Sequence, residues 1–479
     1  MTKPEKCALV IVIIIGFFTS LTESVDNLPA NGDLSKFFPL TLIHNNDFHA
    51  RYEETNLKSK ACSASDKQQN KCIAGIARLQ TVIQDLRKQY ASKNALYLNI
   101  GDNYQGTLWY NLLRWKVTAH FVKLLKPDAM TLGNHEFDHR PEGLRPYLKV
   151  LREAGIRTVV ANLELNGEPN LKALPKSITI KVQNRWIGLI GVLYDKTHEI
   201  AMTGKVTLSN AVQAVKAEAS RLKAKGIQII VVMSHCSFEE DKKIAAQAGD
   251  DIDVIVGAHS HSFLYSRESG KPYDKGDTIE GDYPQVVNSS SSGRSIPIVQ
   301  AKAFGKYVGR LTLYFDKQGE VKHWEGYPVF VDNSIKPDET ILQELIPWRQ
   351  KVVKLGSTEI GSTEIHLDLC YANQLESRTD PGVRRLPAQR VGPSWPKSEP
   401  VEWKRQRNAK QRARNKKANS RYGTAQEPPE LWPTRFLRVG SQGLSQSENV
   451  ARPNGLNERE GMNEYNNNTG QLRPTPLCE

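Results

Sequence analysis

Short apolar runs separated by polar turns recur through most of the chain, and five of them end on a cluster of chemistry-bearing residues. Residues 39–43 lead into Asn46-Asp47-Phe48-His49, and 95–100 lead into Gly101-Asp102-Asn103. Residues 129–132 lead into Gly133-Asn134-His135-Glu136-Phe137-Asp138, 227–233 into Ser234-His235, and 252–256 into Gly257-Ala258-His259-Ser260-His261. Each run has the length and apolar character of a strand. The unbroken apolar stretch 227–233 predicts a strand buried on both faces. Residues 157–163, 186–193, 296–301, 307–315 and 321–324 read as further strands, with Asp316-Lys317-Gln318-Gly319 as the turn before the last. Between them the period changes. Ile76, Leu79, Val82, Ile83 and Leu86 are spaced for a helix over 73–90, and Val212, Val215, Ala219 and Leu222 for one over 210–225. A further helix over 341–355 is expected to be interrupted at Pro347. Strand and helix patterns in alternation predict a layered α/β domain.

The clusters follow the strands, where an open α/β sheet places its ligands. An isolated Asp-x-His is most simply a capped turn, but five clusters in order supply a full donor set. Mixed imidazole, carboxylate and amide-oxygen ligands suit Zn, Mn or Fe. Two such ions lie about 3.5–4 Å apart when a carboxylate bridges them, and Asp102 is the natural bridge. Asn134 offers a neutral oxygen, His135 an acid/base group, and Asp138 a carboxylate to orient that imidazole. Gly133 is expected to permit a tight turn. His44, His120 and His198 are expected to make ordinary polar or packing contacts, and His139 and Arg140 receive no role.

The order of these motifs resembles the calcineurin-like metallophosphoesterase superfamily. The longer form Asn134-His135-Glu136-Phe137-Asp138 is similar to its 5′-nucleotidase/apyrase branch, as are Val286-Val287-Asn288-Ser289-Ser290 and Ala303-Phe304-Gly305-Lys306-Tyr307-Val308-Gly309. The resemblance runs from about Phe38 to about Asp368. It implies a four-layer α-β-β-α sandwich over 38–335. It implies one metal held by Asp47, His49, Asp102 and His261, and a second held by Asp102, Asn134, His235 and His259. Zinc is the expected metal, with manganese, cobalt or calcium as alternatives. It further implies hydrolysis of extracellular AMP, ADP or ATP by in-line attack of a metal-bridging hydroxide. His135 would then stabilise the transferring phosphoryl group or the leaving oxygen, with Asp138 fixing its tautomer. In that branch a helix near 336–369 leads into a C-terminal substrate-binding domain. Glu364-Ile365-His366-Leu367-Asp368-Leu369-Cys370 looks like its start, after which the family pattern stops. A metal-binding but catalytically impaired or silent protein is therefore the alternative reading.

Charge and cysteine usage refine this picture. The chain has 65 Lys+Arg against 52 Asp+Glu, a net charge of +13, which favours anionic partners. Much of that excess sits in 370–479, where apolar periodicity disappears and 404–421 is dense in Lys and Arg. Such a sequence cannot bury enough apolar surface to offset its ordering entropy, so a disordered basic tail is expected. It reads either as an arm for a polyanion or as the product of a frameshift, retained intron or chimeric transcript. At the N-terminus, Lys3 and Lys6 precede an apolar stretch, 8–18, too short for a comfortable span, and Thr22-Glu23-Ser24 precedes a cleavage point near Val25. Residues 1–24 are thus expected to be a secretory signal and the mature protein to be extracellular, with an uncleaved anchor as the alternative. No GPI signal, no stable membrane span and no nucleic-acid partner are expected. Export permits disulfides. Cys62 and Cys72 bracket a polar segment and are expected to staple it, as a similar small disulfide loop does in the nucleotidase branch. Cys236 is expected to be a small buried hydrophobe, Cys370 and Cys478 have no evident partner, and Asn288 heads a glycosylation sequon.

Overall fold

The computed structural model describes residues 33–358. Two sheets face each other. In the first, Phe38–Asn45 lies between Tyr307–Phe315 and Ala95–Asn99, with Val321–Phe330 and Ala129–Met130 at the edges. In the second, Ile229–His235 lies between Val254–Gly257 and Arg185–Leu193, flanked outward by Ser295–Val299 and Gln285–Asn288 on one side and Ser177–Val182 on the other. The strands that end on the clusters pair in parallel, so their carboxyl ends share one edge of each sheet.

Alternation decides what each face buries. Leu40, Leu42, Leu96 and Leu98 point between the sheets into a core shared with Leu189, Val232 and Ile255. Ile43 and Tyr97, one residue out of phase, join the helices Gly75–Gln89, Trp115–Leu125 and Arg140–Glu153 on the outer face. The helices Ala211–Lys223 and Phe238–Ala248 cover the second sheet. Their N-termini are capped by Asn210, which accepts from Gln213 N, and Ser237, which accepts from Glu240 N. The layers therefore run helix, sheet, sheet, helix, as the resemblance implied.

Three elements differ from the sequence pattern. Residues 157–163 do not form a continuous strand. Thr158 bridges to Met130 and Leu163 pairs with Leu208, but between them Asn162 turns its amide onto Leu193, donating to the carbonyl at 2.7 Å and accepting from the amide at 3.1 Å. A side chain there replaces strand pairing. The last strand runs on to Phe330. The helix near the end is not interrupted: Glu339–Gly356 continues through Pro347. Proline removes one internal hydrogen bond, but tertiary contacts hold both sides. Ile341 and Leu345 are buried in the outer core, Glu344 meets His120 Nε2 at 2.9 Å, and Arg349 pairs with Glu53 at 2.6 Å.

Cys62 and Cys72 are joined, closing a segment whose short helix Ala64–Gln68 is held by a Ser63/Asp66 capping box. Cys236 is buried with a free thiol. Asn288 is exposed at the end of its strand. Among the described residues no helix is long and apolar enough to cross a membrane. The expected signal 1–24, the basic segment 370–479, and Cys370 and Cys478 lie outside the described residues.

Leu189 is fully buried mid-strand between the sheets. Leu189→Ala is expected to lower unfolding stability by about 2–5 kcal/mol, read as a shift of the urea midpoint at unchanged slope.

Candidate metal centre

Backbone geometry aims the side chains before any chemistry is considered. Asp47, His49, Asp102, His259 and His261 all have φ between 48° and 74°, the left-handed region that non-glycine residues rarely adopt. Such strain persists where surrounding structure over-determines it and is concentrated at functional sites. Here backbone bonds between loops hold the bend: Asp47 N donates to Gly101 O at 3.2 Å and His49 N to Asp102 O at 3.0 Å.

Glycines let the loops touch. A Cβ on Gly133 would lie 2.0 Å from Asp102 Oδ1, and one on Gly101 would lie 2.4 Å from Gly133 N. Gly133 itself has φ −105°, ordinary extended backbone. It is required for close approach and not, as the sequence suggested, for a tight turn.

The side chains converge in overlapping groups. Donor atoms of Asp47, His49 and His261 lie within 4.8 Å of one another, as do those of Asp102, His235 and His259. His235 Nδ1 is 2.6 Å from Ile100 O and His49 Nδ1 is 3.3 Å from Tyr104 O, which leaves each Nε2 facing inward. His235 Nε2 then lies 3.2 Å from Asp102 Oδ2 and 3.8 Å from Asp47 Oδ1. His49 Nε2 and His261 Nε2 are 3.0 Å apart. Asn134 Oδ1 is buried with no hydrogen-bond partner. His135 also lies near His49 and Asp102, and its Nδ1 is 3.0 Å from Asp138 Oδ2. His139 sits apart from these groups, stacked on Tyr110 and bonded to Arg114.

Two buried carboxylates beside each other are costly unless positive charge accompanies them. Burial opposes ionisation of Asp102, yet His235 and His49 hold it well below the usual carboxylate range. Burial likewise opposes the charge of His235, yet the Asp102 carboxylate raises it to about 10. His135 rises to about 9 because the Asp138 bond and the Asp102 charge outweigh burial. Burial dominates at His49 and His259, which fall to about 4. The chemistry of this donor set fits divalent cations: inward imidazole nitrogens, two clustered carboxylates and an orphaned amide oxygen are what a cation would satisfy.

Sequence reasoning missed four residues. Glu136 is buried and accepts from Asp102 N at 2.9 Å, Asn103 N at 2.8 Å and Gly133 N at 2.7 Å. Asn46 donates to Asp47 Oδ2 at 2.7 Å and accepts from Ala301 N at 3.2 Å. The Phe304 ring packs against His49 and His261, while Tyr194 stacks on His259 at 5.2 Å. Glu136, Asn46 and Phe304 lay within the sequence motifs without a role assigned, Glu136 three residues after a glycine at a helical turn, whereas Tyr194 carried no signal. The motif 303–309 is also explained. Phe304 N donates to Asp47 O, the Lys306 ammonium is buried against Asp274 and Asp277, and a Cβ on Gly309 would collide with His44.

A glutamine at 136 keeps one accepting oxygen and points an NH₂ at a backbone donor. Glu136→Gln is expected to cost about 1–3 kcal/mol through the unsatisfied amides. It should also weaken cation retention, measured by chelator competition beside denaturant unfolding.

Residues 40–263 match the calcineurin-like phosphoesterase family. An apyrase of Aedes albopictus is 64% identical over 368 residues, covering 76% of this chain and 64% of the relative. An apyrase of Aedes aegypti is 64% identical over 361 residues, covering 75% and 63%. The solved structure of a 5′-nucleotidase precursor from Thermus thermophilus superposes with TM-score 0.60 at 33% identity, covering 68% of this chain and 61% of that one. The chain thus spans just under two thirds of the length of these curated relatives. With the sheets, the clusters and these likenesses in agreement, residues 40–263 form a calcineurin-like phosphoesterase domain, in a chain similar to apyrases and 5′-nucleotidases.

Proposed function

We propose that this chain is a secreted, dinuclear-metal phosphohydrolase that cleaves extracellular nucleotides as an apyrase or 5′-nucleotidase. The observation that carries the reading is the buried Asp47–Asp102 pair, flanked by inward imidazoles and by the orphaned Asn134 oxygen. Asp47, His49, Asp102 and His261 hold one ion in this proposal, and Asp102, Asn134, His235 and His259 the other. When bound, two such ions activate a water and neutralise phosphoryl oxygens, most of what this transfer requires.

The remaining work belongs to the chain itself. The carbonyls of Ile100 and Tyr104 fix the His235 and His49 rings, the kind of outer support that orients ligands. Asp138 holds Nδ1–H of His135, so Nε2 is the nitrogen left for substrate. That position suits it to interact with the transferring phosphoryl group or the leaving oxygen. Secretion is supported by the Cys62–Cys72 disulfide, which needs an oxidising compartment.

Metal analysis and turnover of AMP, ADP, ATP and an aryl phosphate test the reading together. About two ions per chain and release of phosphate are expected; a metal-free protein in metal-sufficient buffer would contradict it. Asp102→Ala is expected to lose metal and activity together. His135→Ala is expected to retain metal and lose about 10²–10⁴ in rate, and release of an ion by that variant would show that His135 is a ligand.

A further inference from the structure

A second site lies at the opposite end of the strands. Trp186 is the second residue of Arg185–Leu193, and that strand's last residue, Leu193, pairs with His235. Seven residues of strand put the two ends roughly 20 Å apart. Around Trp186 is a groove of about 550 Å³, lined on its polar side by Arg157, Ser177, Thr179, Arg221 and Lys225. A second groove of about 520 Å³ shares Ser177 and Arg221 and adds Lys176 and Glu218. The two grooves adjoin at Ser177 and Arg221 and are taken together as one track.

Its charge is one-sided. Four cations, Arg157, Lys176, Arg221 and Lys225, face one carboxylate. That carboxylate, Glu218, is buried and committed: it accepts from Arg221 Nε at 2.8 Å and from Ser177 Oγ at 2.5 Å. Among the described residues the side chains of Arg157, Lys176 and Lys225 have no hydrogen-bond or ion-pair partner. Trp186 is 49% exposed, and the Lys181 ammonium lies 6.0 Å from its ring centre. The half-exposed indole offers a flat apolar face beside these cations, a combination suited to stacking and charge pairing with one ligand.

The cations are divided between the two grooves, Arg157 and Lys225 lining one and Lys176 the other, which suits an extended polyanion better than a single small anion. The track's single aromatic argues against a nucleic acid strand, which is gripped by successive stacking platforms. A sulfated polysaccharide matches both features: spaced anionic groups meet the cations of both grooves, and a sugar-ring face lies on the indole. We propose that this track binds a sulfated glycan, tethering the protein to an anionic matrix while the metal centre at the other end stays open to substrate.

The test uses the full chain and a size-defined heparin oligosaccharide. Affinity is measured by calorimetry across a salt series, with the desulfated oligosaccharide and single-stranded DNA of equal charge as comparators. Arg157→Gln with Lys225→Gln removes two contacts. By counterion release it is expected to weaken binding about ten-fold or more near physiological salt and to make the salt slope shallower by about two. Trp186→Ala is expected to weaken binding several-fold at an unchanged salt slope, because it removes stacking and no charge. Aryl phosphate turnover should remain at the wild-type level in both, which separates lost binding from lost folding. The proposal is overturned if both variants bind heparin as the parent does, which would place binding elsewhere, such as 404–421. It is also overturned if the desulfated sugar or the DNA binds equally well.

Discussion

The carboxylate of Glu136 is the point through which the candidate metal centre is held together. One buried side chain collects the amides of Asp102, Asn103 and Gly133. Asp102 answers by accepting from His135 N at 2.9 Å. Two loops from neighbouring strands are thereby locked at a separation only glycine backbone permits. Such reciprocal bonds are worth more in a low-dielectric interior than at the surface, and each is costly to leave unmade. The positions of Asp102 and Asn134, and the orientation of His135, depend on that lock.

Each proposed ligand-bearing loop is supported in a similar way from the opposite side. Asp47 accepts from its neighbour Asn46 and from the amide of His259, which joins the two sheets at their carboxyl edges. Phe304 seals two imidazoles, and Lys306 ties the loop behind it to Asp274 and Asp277. The strained φ values at five proposed ligand positions fit this view. Local preference alone would not keep Asp47 or His261 left-handed; contacts from other parts of the chain do so.

Much of the fold was legible because burial imposes period. The strand ending at His235 and the helix opposite it were plain from apolar spacing, and the five clusters were plain from their positions after strands. What escaped was what depends on partners far away in sequence. Asn162 replaces a strand by a side-chain contact with Leu193, and Pro347 is tolerated because Glu344 and Arg349 are anchored elsewhere. The larger part of the role of Glu136 escaped for the same reason: its place three residues after Gly133 hints at a local cap, but not at the amides of Asp102 and Asn103 some thirty residues upstream. Gly133 was noticed, but its reason lay in Asp102 and not in its own dihedral angles.

The bond from His259 N to Asp47 joins residues 212 positions apart. Contacts of such long range form slowly, because loop closure must be completed before they stabilise anything. Here they also bring together the donors of the cation site. An unfinished chain therefore presents scattered imidazoles and carboxylates, and an assembled pocket exists only after both sheets have closed. Cation capture at the proposed site would consequently come late in maturation, and the appearance of a tightly held ion would report closure of both sheets and not of one loop.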